Sequence, residues 1–261
     1  MSEQQFKAYA KFYNLLYKDK DYTTEAGYVD LLLKKYYPKE KKDISLLDLA
    51  CGTGKHLFEL ASLGYQHLSG SDIAKEMIDI ARESATMKGK NARFYNYSFQ
   101  ESHQIPGKFD IVISMFSAVN YITSFNDQLQ TFRNIYSHLE AEGLFIFDYW
   151  NGNAVVRDYS PVKVLRKKHD KAEIIRISKT EIDLVRQHAT VTFNCLYLEE
   201  QAKINEFEEV HHLHYYFFQE IHNLLSIAGF DVIHQSPFLA PDSDVGAYDW
   251  NISVVARKRK K

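Results

Sequence analysis

Leu46-Leu47-Asp48-Leu49-Ala50-Cys51-Gly52-Thr53-Gly54 decides how this chain is read. A short apolar run carries one acidic residue and ends in a turn with two glycines one residue apart. Lys55-His56-Leu57-Phe58-Glu59-Leu60 then follows with helical spacing. The pattern is a strand, a glycine loop and a helix. Glycine belongs where the backbone takes positive φ or approaches a ligand closely, and the carboxyl end of a strand is where open α/β sheets bind ligands. A dinucleotide loop wants a third glycine, G-x-G-x-x-G, but Leu57 stands at that position. A nicotinamide or other nucleotide binder is therefore the weaker reading.

The segment downstream tests the choice. Tyr65 to Asp72 reads as a second strand ending in an acid 20 residues beyond Gly52, where a ribose-binding carboxylate belongs. An ionised carboxylate has two acceptor oxygens for two ribose hydroxyls. Asp72 could equally cap the helix that begins at Ile73-Ala74-Lys75-Glu76-Met77. Together, D-x-A-C-G-T-G and S-x-D-I-A-x-x-M-I-x-x-A-R resemble class I S-adenosylmethionine (SAM) methyltransferases. The resemblance implies a Rossmann-like α/β fold with a mostly parallel sheet and helices on both faces. It also implies that Asp48, Ala50, Gly52, Gly54, Asp72, Ile73 and Met77 bind SAM.

Composition agrees with an ordinary globular protein. Of 261 residues 45% are apolar and 25% charged, and the net charge of −2 makes no electrostatic case for nucleic acid. Arg257 to Lys261 is a basic run read as a solvated tail. No apolar stretch is long enough to span a membrane and the N-terminus is polar, so a cytoplasmic location is expected. Two cysteines, Cys51 and Cys195, suggest no disulfide framework.

Three stretches differ in pattern. Residues 1–42 read as an N-terminal helical lid rich in aromatics. Residues 43–154 alternate strand and helix, as βαβ units do, and with 217–261 make up the SAM-binding Rossmann-like domain. Between them, 155–216 is a succession of β-branched and aromatic runs (Val162–Arg166, Ala172–Lys179, Glu181–Gln187, Ala189–Glu199, Glu206–Tyr216) with no helix between them. That predicts an inserted antiparallel β subdomain with one face left for the acceptor, a second subunit in a homodimer, or both.

Within class I, Phe12-Tyr13, Lys20-Asp21-Tyr22-x-x-Glu25-Ala26, His56-Leu57 and Met115-Phe116-Ser117 resemble the N-methyltransferases of nucleotide-linked deoxyamino sugars. Enzymes that methylate glycine and other small amines share much of this layout. The resemblance places Tyr13, Tyr22 and Met115 at the SAM pocket. Relatives carry an acid after the third strand for the adenine amino group; here Ser98 and Phe99 fall near that position, so the adenine contact passes to Ser98, Gln100 or backbone. Where the sugar enzymes have a histidine, this chain has Tyr121.

A neutral amine is nucleophilic enough for in-line displacement at a sulfonium, so the protein has mainly to align the reactants, an effect worth about 7–11 kcal/mol. A hydroxyl acceptor would need a base. Tyr13, Asn120 and Tyr121 are therefore expected to position rather than to move protons. Trp150, Asn151, Arg157, Arg166 and His212 are expected to border the acceptor, the arginines meeting a nucleotide pyrophosphate. His56 is read as bracing the loop. His211, His212 and His214 divide between two faces of a strand, and no metal-binding constellation stands out. The aromatic rings of Tyr13 and Tyr22 could attract the sulfonium. The expected activity is SAM-dependent N-methylation of an amino sugar. O-methylation of a sugar hydroxyl, another small-molecule methylation, and a non-catalytic SAM or nucleotide binder are the alternatives.

Overall fold

A computed structural model describes residues 12, 16–169, 172–200 and 202–260. Phe6, Tyr9 and Tyr13 lie outside them. Helix α1 (Tyr22–Tyr36) precedes β1 (Ser45–Leu49), α2 (Lys55–Ser62), β2 (His67–Ser71), α3 (Lys75–Met87), β3 (Ala92–Tyr95), β4 (Phe109–Ser114), α4 (Phe125–His138) and β5 (Leu139–Trp150). After α5 (Gly152–Asp158) come β6 (Val162–His169), β7 (Ala172–Asp183), β8 (His188–Glu199) and β9 (Ala202–His214). Then α6 (Phe218–Ala228), β10 (Phe230–Pro237) and β11 (Asn251–Lys258) follow.

Seven strands form one sheet in the order β10-β11-β5-β4-β1-β2-β3. β1 to β5 run parallel, and β11 pairs antiparallel with both β5 and β10. Strands β1 and β4 are apolar almost throughout and buried, as strands covered by helices on both faces must be. One buried cluster lies on each face of this sheet, around Phe132, Phe145 and Phe147 on one side and around Leu46, Leu57 and Ile113 on the other. The order reverses between β1 and β4, so the carboxyl ends of these strands open a crevice.

The second sheet is antiparallel, in the order β6-β7-β8-β9. The two runs read separately at 172–179 and 181–187 are one strand that stops at Asp183. The hairpin turn at 184–187 includes Gln187 at φ 58°. Along β7 and β8, side chains alternate between two faces. One face carries Ile174, Arg176, Ser178, Thr180, Phe193 and Cys195. Phe12 and Leu16 are buried against it beside Ile174 and Cys195, and Phe12 stacks on Phe207 at 5.2 Å and tilts onto Tyr197 at 5.0 Å. No helix among the described residues is long and apolar enough to cross a membrane.

Candidate active site

A cavity of about 390 Å³ opens where the carboxyl ends of β1, β2, β4 and β5 face the second sheet. The volume suits a small-molecule ligand. At its floor the β1–α2 loop holds Ala50, Gly52 and Gly54 at φ 64°, 53° and 76°. The two glycines divide the work. A Cβ on Gly52 would meet no protein atom within 4 Å, and Gly52 lines the cavity; it leaves room for a ligand. A Cβ on Gly54 would instead lie 3.1 Å from the Phe94 ring and 3.2 Å from Phe58. Gly54 does not line the cavity, contrary to expectation. It lets α2 start hard against β3.

Asp72 is the ribose-binding candidate and it lines the cavity. Its Oδ2 accepts from the Gly52 N–H at 2.8 Å and its Oδ1 from the Ala74 N–H at 2.9 Å. Each oxygen retains a further lone pair, so the carboxylate is oriented by the backbone and can still accept from two hydroxyls. The N-cap residue of α3 is Ala74, not Asp72. Burial raises the Asp72 pKa while those backbone bonds lower it. Asp48 is buried in β1 behind the loop, raised well above the usual carboxylate range by burial and by Asp72. It does not line the cavity, contrary to expectation. Ile73, Met77 and Phe99 offer apolar surface for a purine. Ser98 lines the cavity beside them, and its Oγ donates to Glu101 Oε2 at 2.7 Å. Gln100 is not part of the lining.

Tyr22 and Met115 reach the cavity as expected. Tyr22 is set edge-on to His56 at 5.0 Å, and His56 Nε2 meets Glu25 Oε2 at 2.6 Å. Glu25 is also ion-paired with Lys20. The Tyr22 ring has two ammonium groups against it, Lys20 at 4.6 Å and Lys55 at 4.9 Å. These like charges oppose a sulfonium at that ring. They suit an anionic group instead, and Lys55 lines the cavity where the carboxylate of a SAM amino-acid tail could meet it. The sequence marked Met115-Phe116-Ser117 after β4 but assigned a site role to Met115 alone. Phe116 and Ser117 stand at φ 66° and 55°, strained conformations for non-glycine residues. The turn presents both to the cavity, and Ser117 Oγ donates to buried Asp148 at 2.6 Å.

The acceptor side departs most from the sequence reading. Tyr121 and Trp150 line the cavity, but Asn120 and Asn151 brace its walls from behind. Asn120 Nδ2 donates to the His214 carbonyl at 2.6 Å and its Oδ1 accepts from the Trp150 N–H. Asn151 Nδ2 donates to the Ala247 and Asp249 carbonyls at 2.8 and 3.0 Å, and its Oδ1 caps α5. Arg157 is exposed, bonded to Asp158 and laid 3.6 Å over the Tyr248 ring. Arg166 is exposed and paired with Glu173. Neither lines the cavity. Besides Lys55, the cations that do are Arg176, on the inner face of β7, and Lys163 of β6, directly opposite Ser178. His212 also points away from the cavity, toward Thr190; His211 is the histidine inside. Strand parity separated the two, but the sequence could not say which face was inner. Among the described residues no group of three or more His, Cys, Asp or Glu could hold a metal ion.

Such a loop, with an oriented carboxylate on the next strand, defines a Rossmann-like enzyme that binds a nucleoside cosubstrate. Residues 46–143 match the family described as "Methyltransferase domain". The chain is 23% identical over 217 residues to the putative methyltransferase YqeM of Bacillus subtilis, covering 82% of this chain and 84% of YqeM. It is 30% identical over 147 residues to the dTDP-3-amino-3,4,6-trideoxy-alpha-D-glucopyranose N,N-dimethyltransferase of Streptomyces venezuelae; those residues cover 54% of this chain and 57% of that enzyme. A SAM-dependent methyltransferase from Clostridium acetobutylicum superimposes with a TM-score of 0.80 at 18% identity, over 98% of this chain and 99% of its own. Motif, cavity and relatives together make this chain a SAM-dependent methyltransferase.

Proposed function

We propose that the enzyme N-methylates the amino group of a nucleotide-linked amino sugar. One observation carries the reading: the acceptor half of the cavity presents Arg176 and Lys163, and Asp72 is the only carboxylate residue lining it among the described residues. An amine held by no carboxylate can bind neutral, with its lone pair free, while the two cations suit a pyrophosphate. The partial match to a dTDP-amino-sugar N,N-dimethyltransferase supports the same class of acceptor.

SAM supplies a sulfonium methyl for in-line displacement. Gly52 and Asp72 hold and orient the nucleoside end, and Trp150 and Phe193 wall off water. His211, pushed down to about 4 by burial and by Arg176, is too weak a base to activate a hydroxyl at neutral pH. Burial raises the Tyr121 phenol further above its ordinary range. Both groups favour an acceptor that needs no deprotonation to react. Incubation with SAM and dTDP-3-amino-3,4,6-trideoxyglucose should give a product heavier by one or two methyl groups. The matching 3-hydroxy compound should stay unmodified. Methylation of the hydroxyl compound alone overturns the assignment.

A further inference from the structure

We propose that the outer end of the cavity is a subsite for the nucleoside diphosphate half of the acceptor, with the base stacked on Trp250 and a phosphate on Lys163. The subsite rests on the nucleotide-sugar reading above and extends it to the far end of that molecule. Trp150 and Trp250 are the two tryptophans of the chain, and both line the cavity. Trp150 closes β5 and Trp250 immediately precedes β11. The Asn151 N–H donates to the Trp250 carbonyl at 2.9 Å, which holds the two indoles side by side. Their centroids are 5.8 Å apart with the planes at 66°, an edge-to-face corner rather than a stack. Both rings stay partly exposed. A flat aromatic face open to a cavity is a stacking platform for a base, because every base has a π-face.

The opposite wall runs in the same direction. On the inner face of the second sheet Phe193 lies opposite Ser178, and Ser178 opposite Lys163 on the edge strand β6. Phe193 packs in the cluster that holds Tyr121, Trp150 and Trp250. Two strand spacings carry the wall roughly 10 Å from Phe193 to Lys163, which leaves room for a sugar ring along it. The walls meet where Lys163 Nζ lies 5.7 Å from the centre of the Trp250 ring, near the outer limit of a cation–π contact. Lys163 has no ion pair among the described residues, whereas Arg157, Arg166 and Lys167 are each paired with a carboxylate. Asp72, the one carboxylate of the described lining, belongs to the β1–α2 end. This corner therefore offers a flat ring and an unpaired cation a short distance apart. A nucleoside diphosphate carries the matching pair, a planar base joined to an anion.

Free thymidine diphosphate (dTDP), which has neither the amino sugar nor an amine to methylate, tests the subsite apart from the reaction. Added to enzyme saturated with SAM, it should quench the tryptophan fluorescence to a saturating limit. By calorimetry, Trp250→Leu should raise the dTDP Kd about tenfold. Trp250→Phe, which keeps a flat ring, should recover most of the affinity. Lys163→Ala should weaken dTDP by a similar factor, and added salt should narrow the gap between that variant and the wild type. All three variants should bind SAM as the wild type does. No dTDP binding to the wild type, binding only when SAM is absent, or equal dTDP affinity in Trp250→Leu and the wild type each overturns the subsite. Binding of dTDP at Trp250 and Lys163 with no methylation of any amino sugar would instead remove the amino-sugar reading and leave the subsite standing.

Discussion

Asp72 makes two backbone hydrogen bonds before any ligand arrives, which separates its two roles. If its remaining lone pairs hold the ribose, Asp72→Ala should weaken SAM by about 1.5–3 kcal/mol, the worth of hydrogen bonds to a charged group. Calorimetry on a folded variant measures it, and an unchanged Kd makes Asp72 a brace for the loop alone. The two glycines divide likewise. Gly52→Val should remain folded and lose SAM, whereas Gly54→Val should lower the melting temperature by forcing a side chain onto Phe94. Behind the site, burial lifts Asp148 to about 6, above the value of roughly 3.9 for an exposed aspartate. Between those values the folded chain keeps a proton that the unfolded chain has lost. Stability therefore falls as pH rises from about 4 to 6, by on the order of 3 kcal/mol for this group. Asp30 and Asp110, whose pKa values are lowered by ion pairs and hydrogen bonds, act in the opposite sense at more acid pH. Denaturant titrations should show the decline from 4 to 6 flattened in Asp148→Asn. An unaltered slope would trace it to other groups.

Individual elements were legible where residues next to each other in the chain determine them. Strand β1 and helix α2 lie where the apolar run and the glycine loop after it place them. The cofactor loop was legible because its constraint is local: positive φ, an acid on the next strand, a helix start. The acceptor wall was not. Its composition depends on which face of the antiparallel sheet turns inward, and a one-residue difference moves a side chain from cavity to solvent. Arg157 and Arg166 were the visible cations, grouped near the start of the second sheet, yet they pair with Asp158 and Glu173. Arg176 drew no notice in an ordinary alternating strand. The two sets give opposite kinetic expectations. Arg176→Ala should raise KM for the nucleotide sugar about tenfold or more, as loss of a charge-assisted hydrogen bond does, with SAM Kd unchanged. Arg157→Ala combined with Arg166→Ala should leave both constants at wild-type values. If the exposed pair controls acceptor KM and Arg176 does not, the inner face of β7 is no acceptor wall.

At the scale of the whole molecule, two sheets share one cavity, and the chain from Leu16 to Tyr22 runs from one to the other. Phe12 and Leu16 are buried on the antiparallel sheet, while Tyr17 and Tyr22 line the cavity a few residues later. Tyr17 meets Phe116 edge-on at 5.3 Å and its hydroxyl accepts from Arg176 at 3.1 Å, so the segment touches both walls. Ligand binding to this arrangement should stabilise it as a unit. SAM at a hundred times its Kd adds about 2.7 kcal/mol to the folded state, an increase in melting temperature on the order of 5–10 °C at roughly 2–4 °C per kcal/mol. Phe12→Ala removes a ring packed against Tyr197 and Phe207, a loss of about 3–5 kcal/mol for a buried aromatic, and frees the start of the segment. The variant should therefore melt lower, and its gain on adding SAM should be smaller than the wild type's, because Tyr17 and Tyr22 are then less firmly held. Thermal unfolding with and without saturating SAM measures both quantities at once. A lowered melting temperature with the full SAM increment would show that the segment anchors the second sheet and takes no part in closing over the cofactor.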